Sequence, residues 1–461
     1  MKIMKTNYFL KNTTVYSALL LSTFIFGQKS SDLDLTFNTG TSANNVVSDV
    51  VRQNDGKYVL SGQFSSFNSN VNAGKFVRLN YNGSISGNAQ NIPTDKSYYT
   101  TAIQADQKIF LATYGFFQRF NTDFSVDNSF SLGQFTSVPS ANKIVPLSDG
   151  KILVGLITNS YFTKGLLRLN ADGSTDASFN AGTSANDGVA QIALQADGKI
   201  LIAGFFSKYN GTDRYRFARL NADGSLDLTF KTSLPNGTSI SAIAVQPDGK
   251  ILIGGNFKTY NGLERDCIAR LNVDGTLDST FSTPYWTSFS GRINSIVVAN
   301  DGKIYVGGIN IPQNFCRLNA NGSRDTTFTS LGANGEVSAM IKDPDGKIVI
   351  AGNFATFNQP NGINQYGIVR IYGDSVLSTS ETQLQNKIQV YPNPARDMLK
   401  IKTENNQKTS SVSLYSSTGI FIKQIEMNSN SEINVSQLSK GVYILKIQTG
   451  NSSSSTKFIK E

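Results

Sequence analysis

One phrase of this sequence recurs along the chain. LQADGKILIAGFFSKYNG begins at Leu194, VQPDGKILIGGNFKTYNG at Val245 and KDPDGKIVIAGNFATFN at Lys342. Self-similarity at a period of about 20–50 residues sets the architecture before any local signal does, because one unit cannot bury its apolar face alone. The Asp-Gly-Lys turn starts at Asp55, Asp106 (as DQK), Asp149, Asp197, Asp248, Asp301 and Asp345, with spacings of 51, 43, 48, 51, 53 and 44. Most units continue with Arg-Leu-Asn, at Arg78, Arg168, Arg219, Arg270 and Arg317, with RFN at Arg119 and RIY at Arg370. A second Asn-Gly or Asp-Gly turn follows, and then Asp-x-x-Phe at Asp127, Asp176, Asp227, Asp278 and Asp325.

Each unit reads as four short strands. In the fifth, ISAIAVQ is a period-2 apolar run and PDG is a turn whose glycine supplies positive φ. KILIGGNF is β-branched, with paired glycines suited to close backbone approach. CIARLN alternates again, VDG turns, and TLDSTF closes the unit. Four-stranded units of this length, seven times over, predict an all-β chain folded as a seven-bladed β-propeller. The competing solenoid would need capping ends. This chain instead carries a closure device: SDLDLTF at 31–37 matches the LDLTF that ends unit four, while unit seven stops at IVRIYGDS with no Asp-x-x-Phe of its own. The N-terminal strand is therefore expected to complete the last blade and leave no open edge.

The ends read differently. Residues 1–27 place Lys2, Lys5 and Lys11 ahead of an apolar stretch that ends at Gly27, the layout of a secretory signal peptide. Residues 28–374 are the propeller, 375–386 a polar linker, and 387–461 a run of short alternating strands expected to form a small Ig-like β-sandwich.

The repeat, in a unit such as DGKILIGGNFKTYNGLERDCIARLNVDGTLDSTF, resembles the delta-60 repeat of exported bacterial β-propellers. That resemblance implies a fold and little chemistry. VYPNPARDMLKI at 390–401, LYSSTG at 414–419, LSKGVYILKI at 438–447 and KFIK at 457–460 together resemble the type A C-terminal sorting domain of the type IX secretion system of Bacteroidota. Tyr391, Pro392, Asn393, Pro394, Gly419, Gly441, Tyr443 and Lys457 are the positions that carry this resemblance. It implies passage through the periplasm, the outer-membrane secretion machinery as partner, and a secreted or surface-attached product.

The chain has 42 basic and 33 acidic residues; removing the three leader lysines leaves 39 against 33, or +6. The bases are scattered, so nucleic acid is not an expected partner. Cys267 and Cys316 are the only cysteines. An exported chain can oxidise such a pair, but their equal strand parity in different units favours two buried thiols over a disulfide.

There is no histidine, which removes His-based triads and His metal sites. No G-x-S-x-G elbow or sialidase box occurs. The recurrent acids read as turn residues forming a peripheral ring, instead of the convergent carboxylate pair of a glycosidase. No cofactor is expected. NADGSTD (170–176) and NADGSLD (221–227) are oxygen-rich as calcium loops are, yet offer about four ligands where calcium takes six to eight.

Binding remains. The Asp-Gly turns lie on one face and are uniform; the second-to-third and fourth-to-first connections lie on the other and vary. Aromatics and arginines on variable loops are the candidates: Arg214, Tyr215, Arg216, Arg265, Tyr285 and Trp286. Tyr209 and Tyr260 recur at one repeat position and read as structural. The function expected is a non-enzymatic module that binds an extracellular glycan or protein. The alternatives are a carbohydrate-active enzyme with a carboxylate pair on the variable face, or a passive surface component.

Overall fold

The computed structural model describes residues 31–461 apart from 70–74, 89–91, 94, 96–99, 136, 159–162, 233, 236, 283–290, 359–365, 374–388, 403–408, 417–420 and 450–451. The leader, the linker, Tyr285, Trp286 and Gly419 lie outside the described residues. Two compact units divide the chain, Gln28–Val376 and Leu377–Glu461.

Among the described residues, the larger unit contains seven antiparallel sheets of three or four strands in chain order, with two further two-stranded hairpins. Their inner strands are Val47–Arg52, Thr100–Ile103, Ala141–Pro146, Val189–Leu194, Ser239–Val245, Arg292–Val298 and Glu336–Lys342. Each inner strand packs against the next, and the seventh packs against the first. This is a closed ring, and the architecture is a β-propeller. The second strands (for example Ile200–Gly204 and Ile251–Asn256) are buried along their length, apart from an end residue such as Asn256, because both faces of every sheet meet a neighbouring blade. The fourth strand is mostly reduced to one bridge, as in Leu220↔Leu226 and Leu271↔Leu277.

Closure follows the sequence expectation. Leu33 bridges Ile371, the Asp34 N–H donates to the Arg370 carbonyl at 2.8 Å, and the Tyr372 N–H donates to the Asp32 carbonyl at 3.0 Å. Phe37, Val47, Tyr58 and Leu60 of the N-terminal side share one core with Val349, Ala351 and Ile368 of the last blade.

The period-2 reading of the inner strands needs correction. Register shifts by one residue at Val47/Asp49, Ala141/Lys143, Val189/Gln191, Ile240/Ala242, Ile293/Ser295 and Val337/Ala339. A bulge inserts an unpaired residue and re-aims the side chains beside it. Facing five of these bulges is a second-strand glycine that has no room for a Cβ: one added at Gly255 would sit 1.9 Å from the Ser239 carbonyl oxygen, and one at Gly308 as close to that of Arg292. The second sheet, where Thr113 stands at the glycine position, pairs in regular register among the described residues.

The smaller unit is a two-sheet sandwich. One sheet orders Gln389–Tyr391, Met398–Lys402 and Glu432–Asn434; the other orders Phe421–Ile425, Thr409–Ser416, Gly441–Thr449 and Ser452–Lys460. Leu399, Ile401 and Ile433 from the first meet Leu414, Leu445, Ile447 and Phe458 from the second in a common core.

Candidate functional site

The Asp-x-x-Phe acids are not the peripheral turn residues the sequence suggests. In the fourth blade, Arg219 Nε donates to Asp227 Oδ2 at 2.8 Å and Lys199 Nζ reaches the same oxygen at 2.9 Å. Asp227 Oδ1 accepts the N–H and hydroxyl of Thr229. The guanidinium lies 4.5 Å from the centre of the Phe230 ring, and its Nη1 donates to the Val273 carbonyl of the next blade. The same cluster recurs as Arg119–Asp127–Lys108, Arg168–Asp176–Lys151, Arg270–Asp278–Lys250 and Arg317–Asp325–Lys303. At the seam it is Arg370–Asp34–Lys347, drawn from the two ends of the propeller. Burial pushes these carboxyls up, but the hydrogen bonds from Thr36, Lys347 and Arg370 outweigh it and hold Asp34 at about 2; Asp127, Asp176, Asp227, Asp278 and Asp325 are held lower still. The carboxylates and guanidiniums of these clusters are engaged with one another and with the next blade, so they staple blades together.

The first blade is the exception. It has Ser86 where the acid would stand, and buried Arg78 Nε has no hydrogen-bond partner. Its Nη1 donates to the Thr122 carbonyl and its guanidinium lies over Phe124.

The acids of the oxygen-rich turns are also engaged. Asp172 and Asp223 each accept the N–H and hydroxyl of the serine two residues on. Among the described residues no group of three His, Cys, Asp or Glu side chains is placed to hold a metal ion. Cys267 and Cys316 are free and buried in the same core, so parity does not keep them in separate places. Burial pushes the Cys267 thiol up to about 11 and Cys316 to about 12, and both stay protonated and unreactive.

On the variable face, the second-to-third connections of blades four and five form small hairpins, Lys208–Tyr209 with Thr212–Asp213 and Thr259–Tyr260 with Leu263–Glu264. Tyr209 and Tyr260 are buried, and their hydroxyls donate to the Gly224 and Gly275 carbonyls at 2.8 Å; they are structural, as expected. Arg214 and Arg265 turn out to be equivalent positions: their N–H groups donate to Ser207 and Lys258 carbonyls, and each Nη1 donates to the carbonyl just before it. These two arginines therefore occupy one repeat position, as Tyr209 and Tyr260 do. Arg216 shares its left-handed backbone with Cys267, at φ 64° and 61°. Its side chain differs: the guanidinium lies over Phe205, 5.8 Å from the ring centre. Phe205 is 53% exposed and Tyr215 43%. Phe205 is the aromatic that the repeat pattern concealed, because Asn stands at that place in units five and seven.

A second concavity lies on the axis. The seven inner strands surround a cavity of about 350 Å³. They run from the variable face toward the Asp-Gly turns, so the residues at and beside the bulges line the half of the channel nearer the variable face. Its charged walls are Asp49 from the first blade and Lys143 from the third, among Ser48, Asn142, Gln191 and Ser241. Asp49 Oδ2 accepts the Thr101 N–H at 2.9 Å and Oδ1 the Val50 N–H at 3.0 Å. Burial pushes the Asp49 carboxyl up against the pull of Lys143 and these two N–H groups. Among the described residues Asp49 is the single carboxylate in the lining. Arg292, Asn294 and Glu336 form a separate network, with Arg292 Nη2 at 2.8 Å from Glu336 Oε1.

In the smaller unit, the proline-rich stretch clips onto the last strand. Asn393 Oδ1 accepts the Ile459 N–H at 2.8 Å, and the Ala395 N–H donates to the Ile459 carbonyl at 2.8 Å. Pro392 and Pro394 follow cis peptide bonds, after half-exposed Tyr391 and after Asn393. Gly441 opens a central strand, Tyr443 stacks on Phe458 and donates to the Ser439 carbonyl at 2.9 Å, and Lys457 pairs with Ile444.

Known proteins agree with this architecture. Residues 53–85, 147–179, 195–230, 246–281, 299–328 and 344–377 match the DUF5122 β-propeller, a domain of unknown function. Residues 389–461 match the secretion system C-terminal sorting domain. No curated protein matches the chain. Among solved structures it is similar to PorZ, a surface component of the type IX secretion system of Porphyromonas gingivalis, at 14% identity and a TM-score of 0.48, covering 91% of this chain and 60% of that one. The extracellular domain of the putative hybrid two-component system BT3049 of B. thetaiotaomicron gives 12% identity and a TM-score of 0.49, covering 92% and 56%. An inactive virginiamycin B lyase from Staphylococcus aureus gives 13% and 0.48, covering 72% and 97%. The chain thus spans less than two thirds of the first two, and likeness at this level carries no activity across. Among the described residues no helix is long and apolar enough to cross a membrane.

Proposed function

Because the chain is a β-propeller of DUF5122 repeats ending in a sorting domain of the type IX secretion system, exported to the cell surface or the extracellular space, we propose that it is a non-enzymatic binding module that meets a protein partner on its variable face. The observation that carries this reading is the exposed group at Phe205, Tyr215 and Arg216. Aromatic and arginine side chains dominate the energetics of protein interfaces, and this group stands on connections that the blades do not need to share. Arg214 precedes it in the same connection and Arg265 stands at the equivalent position of the fifth blade, while Tyr285 and Trp286, in a stretch no other unit repeats, are candidates from the sequence alone.

Several facts speak against the enzymatic alternative. Among the described residues the channel lining has one carboxylate where glycoside hydrolysis uses two, and the recurrent acids are occupied in ion clusters. A passive surface component would have no use for an exposed aromatic beside a guanidinium, although single exposed apolar residues are common.

The test is a protein and glycan array probed with the full chain. A protein hit weakened by about 1 kcal/mol or more in Phe205→Ala or Tyr215→Ala, with melting changed by no more than about 0.5 kcal/mol, supports the proposal. Glycan hits alone would replace the protein partner with a carbohydrate, and silence on both arrays would leave the passive reading. Trp286 is the only tryptophan, so its emission reports on that connection directly: red-shifted, iodide-quenched fluorescence is expected, and a blue-shifted, protected indole would remove it from the surface.

A further inference from the structure

We propose that the channel half near the variable face is a small-molecule site for a zwitterion, an α-amino acid or a dipeptide, with the ligand's ammonium on Asp49 and its carboxylate on Lys143. This site is separate from the loop surface and does not rest on it.

The fold does not require these charges. In the blades where the bulge recurs, the position held by Asp49 and Lys143 is Gln191, Ala242, Ser295 or Ala339, and each of those blades closes its inner strand equally well. Placing an acid and a base at two of these positions is therefore a feature of the channel and not of the repeat. The two groups belong to the first and third blades and are attracted to each other through space. They nevertheless form no ion pair within the ~4 Å of a salt bridge, and the Lys143 ammonium has no ion pair or hydrogen bond among the described residues. An ammonium and a carboxylate held apart across a cavity of about 350 Å³ match the two ends of a ligand that carries the opposite charges.

The acid is pre-organised. Its two oxygens are fixed by the Thr101 and Val50 N–H groups, which leaves lone pairs directed at no protein donor, since an ionised carboxylate has about four acceptor sites. Beside it, the hydroxyl oxygen of Ser48 is buried without a hydrogen-bond partner and lies in the same lining. A buried, unsatisfied hydroxyl has a desolvation cost that a ligand's polar group would relieve. Asn142 and Gln191 add amides from the neighbouring walls. Among the described residues the lining holds no aromatic ring, so none of them offers the stacking platform a sugar would use. A folded partner does not fit in this volume, whereas pockets of about 300–1,000 Å³ accommodate small ligands.

Calorimetry of the full chain tests the assignment, using the L-amino acids one by one and then a set of dipeptides beginning with Gly-Gly. N-acetylated and C-amidated forms of every binder serve as controls. At least one zwitterion should bind, either cap should abolish binding, and Asp49→Asn and Lys143→Met should each weaken it about tenfold or more, the loss expected when one partner of a charged hydrogen bond is removed. Near-UV circular dichroism and melting establish that each variant is folded. Should one fail to fold, Ser241→Phe fills the channel from another wall while leaving both charges in place, and it must abolish binding. The proposal falls if no zwitterion binds, if capped forms bind as well as free ones, if folded Asp49 and Lys143 variants bind like the parent, or if a neutral monosaccharide binds in their place.

Discussion

The rim and the axis of this propeller are built from the same repeat and obey opposite rules. At the rim, every blade but the first presents the same chemistry: an arginine from the third strand, an aspartate from the fourth, a lysine from the first turn and a phenylalanine under the guanidinium. At the axis, the bulged inner strands present Ser48 and Asp49, Asn142 and Lys143, Gln191, Ser241, Asn294 or Ser338, and only the fifth and seventh blades agree, with Ser-Ala at both positions. The rim must mate with the next blade, so its partners are fixed by geometry that repeats. The channel wall touches the next blade through individual hydrogen bonds that different side chains supply, such as Asp49 to the Thr101 N–H and Ser295 to that of Met340, so its residues differ more freely. Repetition marks structure here, and its loss marks the surface available for ligands.

The largest effect expected is at the seam. Deleting residues 28–37 removes Asp34, Phe37 and the bridge to Ile371, leaving Arg370 fully buried without its carboxylate. The ring should lose its cooperative transition; a truncated chain that melts and elutes like the parent would break the equivalence between the seam and the other blades. Next comes an ordinary rim cluster. Asp227→Ala strands a buried guanidinium, and a pair broken in this way typically loses about 3–5 kcal/mol, measurable as a fall in the urea midpoint at unchanged slope.

The six depressed rim carboxyls also set an acid response. Their folded-state values lie below the ordinary ~3.9 of an aspartate, so the stability they contribute is complete above that value. It is lost as pH falls toward the folded values, about 2 for Asp34 and lower for the rest. The urea midpoint should therefore hold between neutral pH and about 5 and drop steeply below about 4, less steeply in Asp227→Asn. The first blade offers a gain-of-function version. Ser86→Asp should give Arg78 Nε its missing partner and raise stability by about 1 kcal/mol or more, as a charged hydrogen bond does. The smallest effects belong to the axis: Gln191→Ala and Ser241→Ala should each change stability by no more than about 0.5 kcal/mol, and a larger loss would show that the channel wall is structural after all.

The comparison also explains which features were visible in advance. Blade boundaries, strand identities and the closing strand were legible because they depend on short-range patterns: Asp-Gly turns that need a positive φ, β-branched runs between them, and a phrase at residues 31–37 that is missing after Arg370. The role of Asp-x-x-Phe was misread because its partners stand 8 residues before it and 28 residues before it, as with Arg219 and Lys199 around Asp227, and a local reading sees only the turn. Arg214 and Arg265 looked unrelated until the hairpins aligned them. Phe205 was hidden by sitting where other units carry a polar residue.

The sequence by itself determined the repeat, the ring and the address on its C-terminal end, since each is written in residues that recur or that occur in a fixed order. Tertiary structure alone decided what faces the axis. Strand parity predicts a side chain's direction only while the pleat is regular, and one inserted residue per inner strand resets it. The bulge, permitted by glycines such as Gly255 and Gly308 that leave no room for a Cβ against the opposing backbone, turns Asp49 and Lys143 from scattered charges into the opposed walls of one cavity.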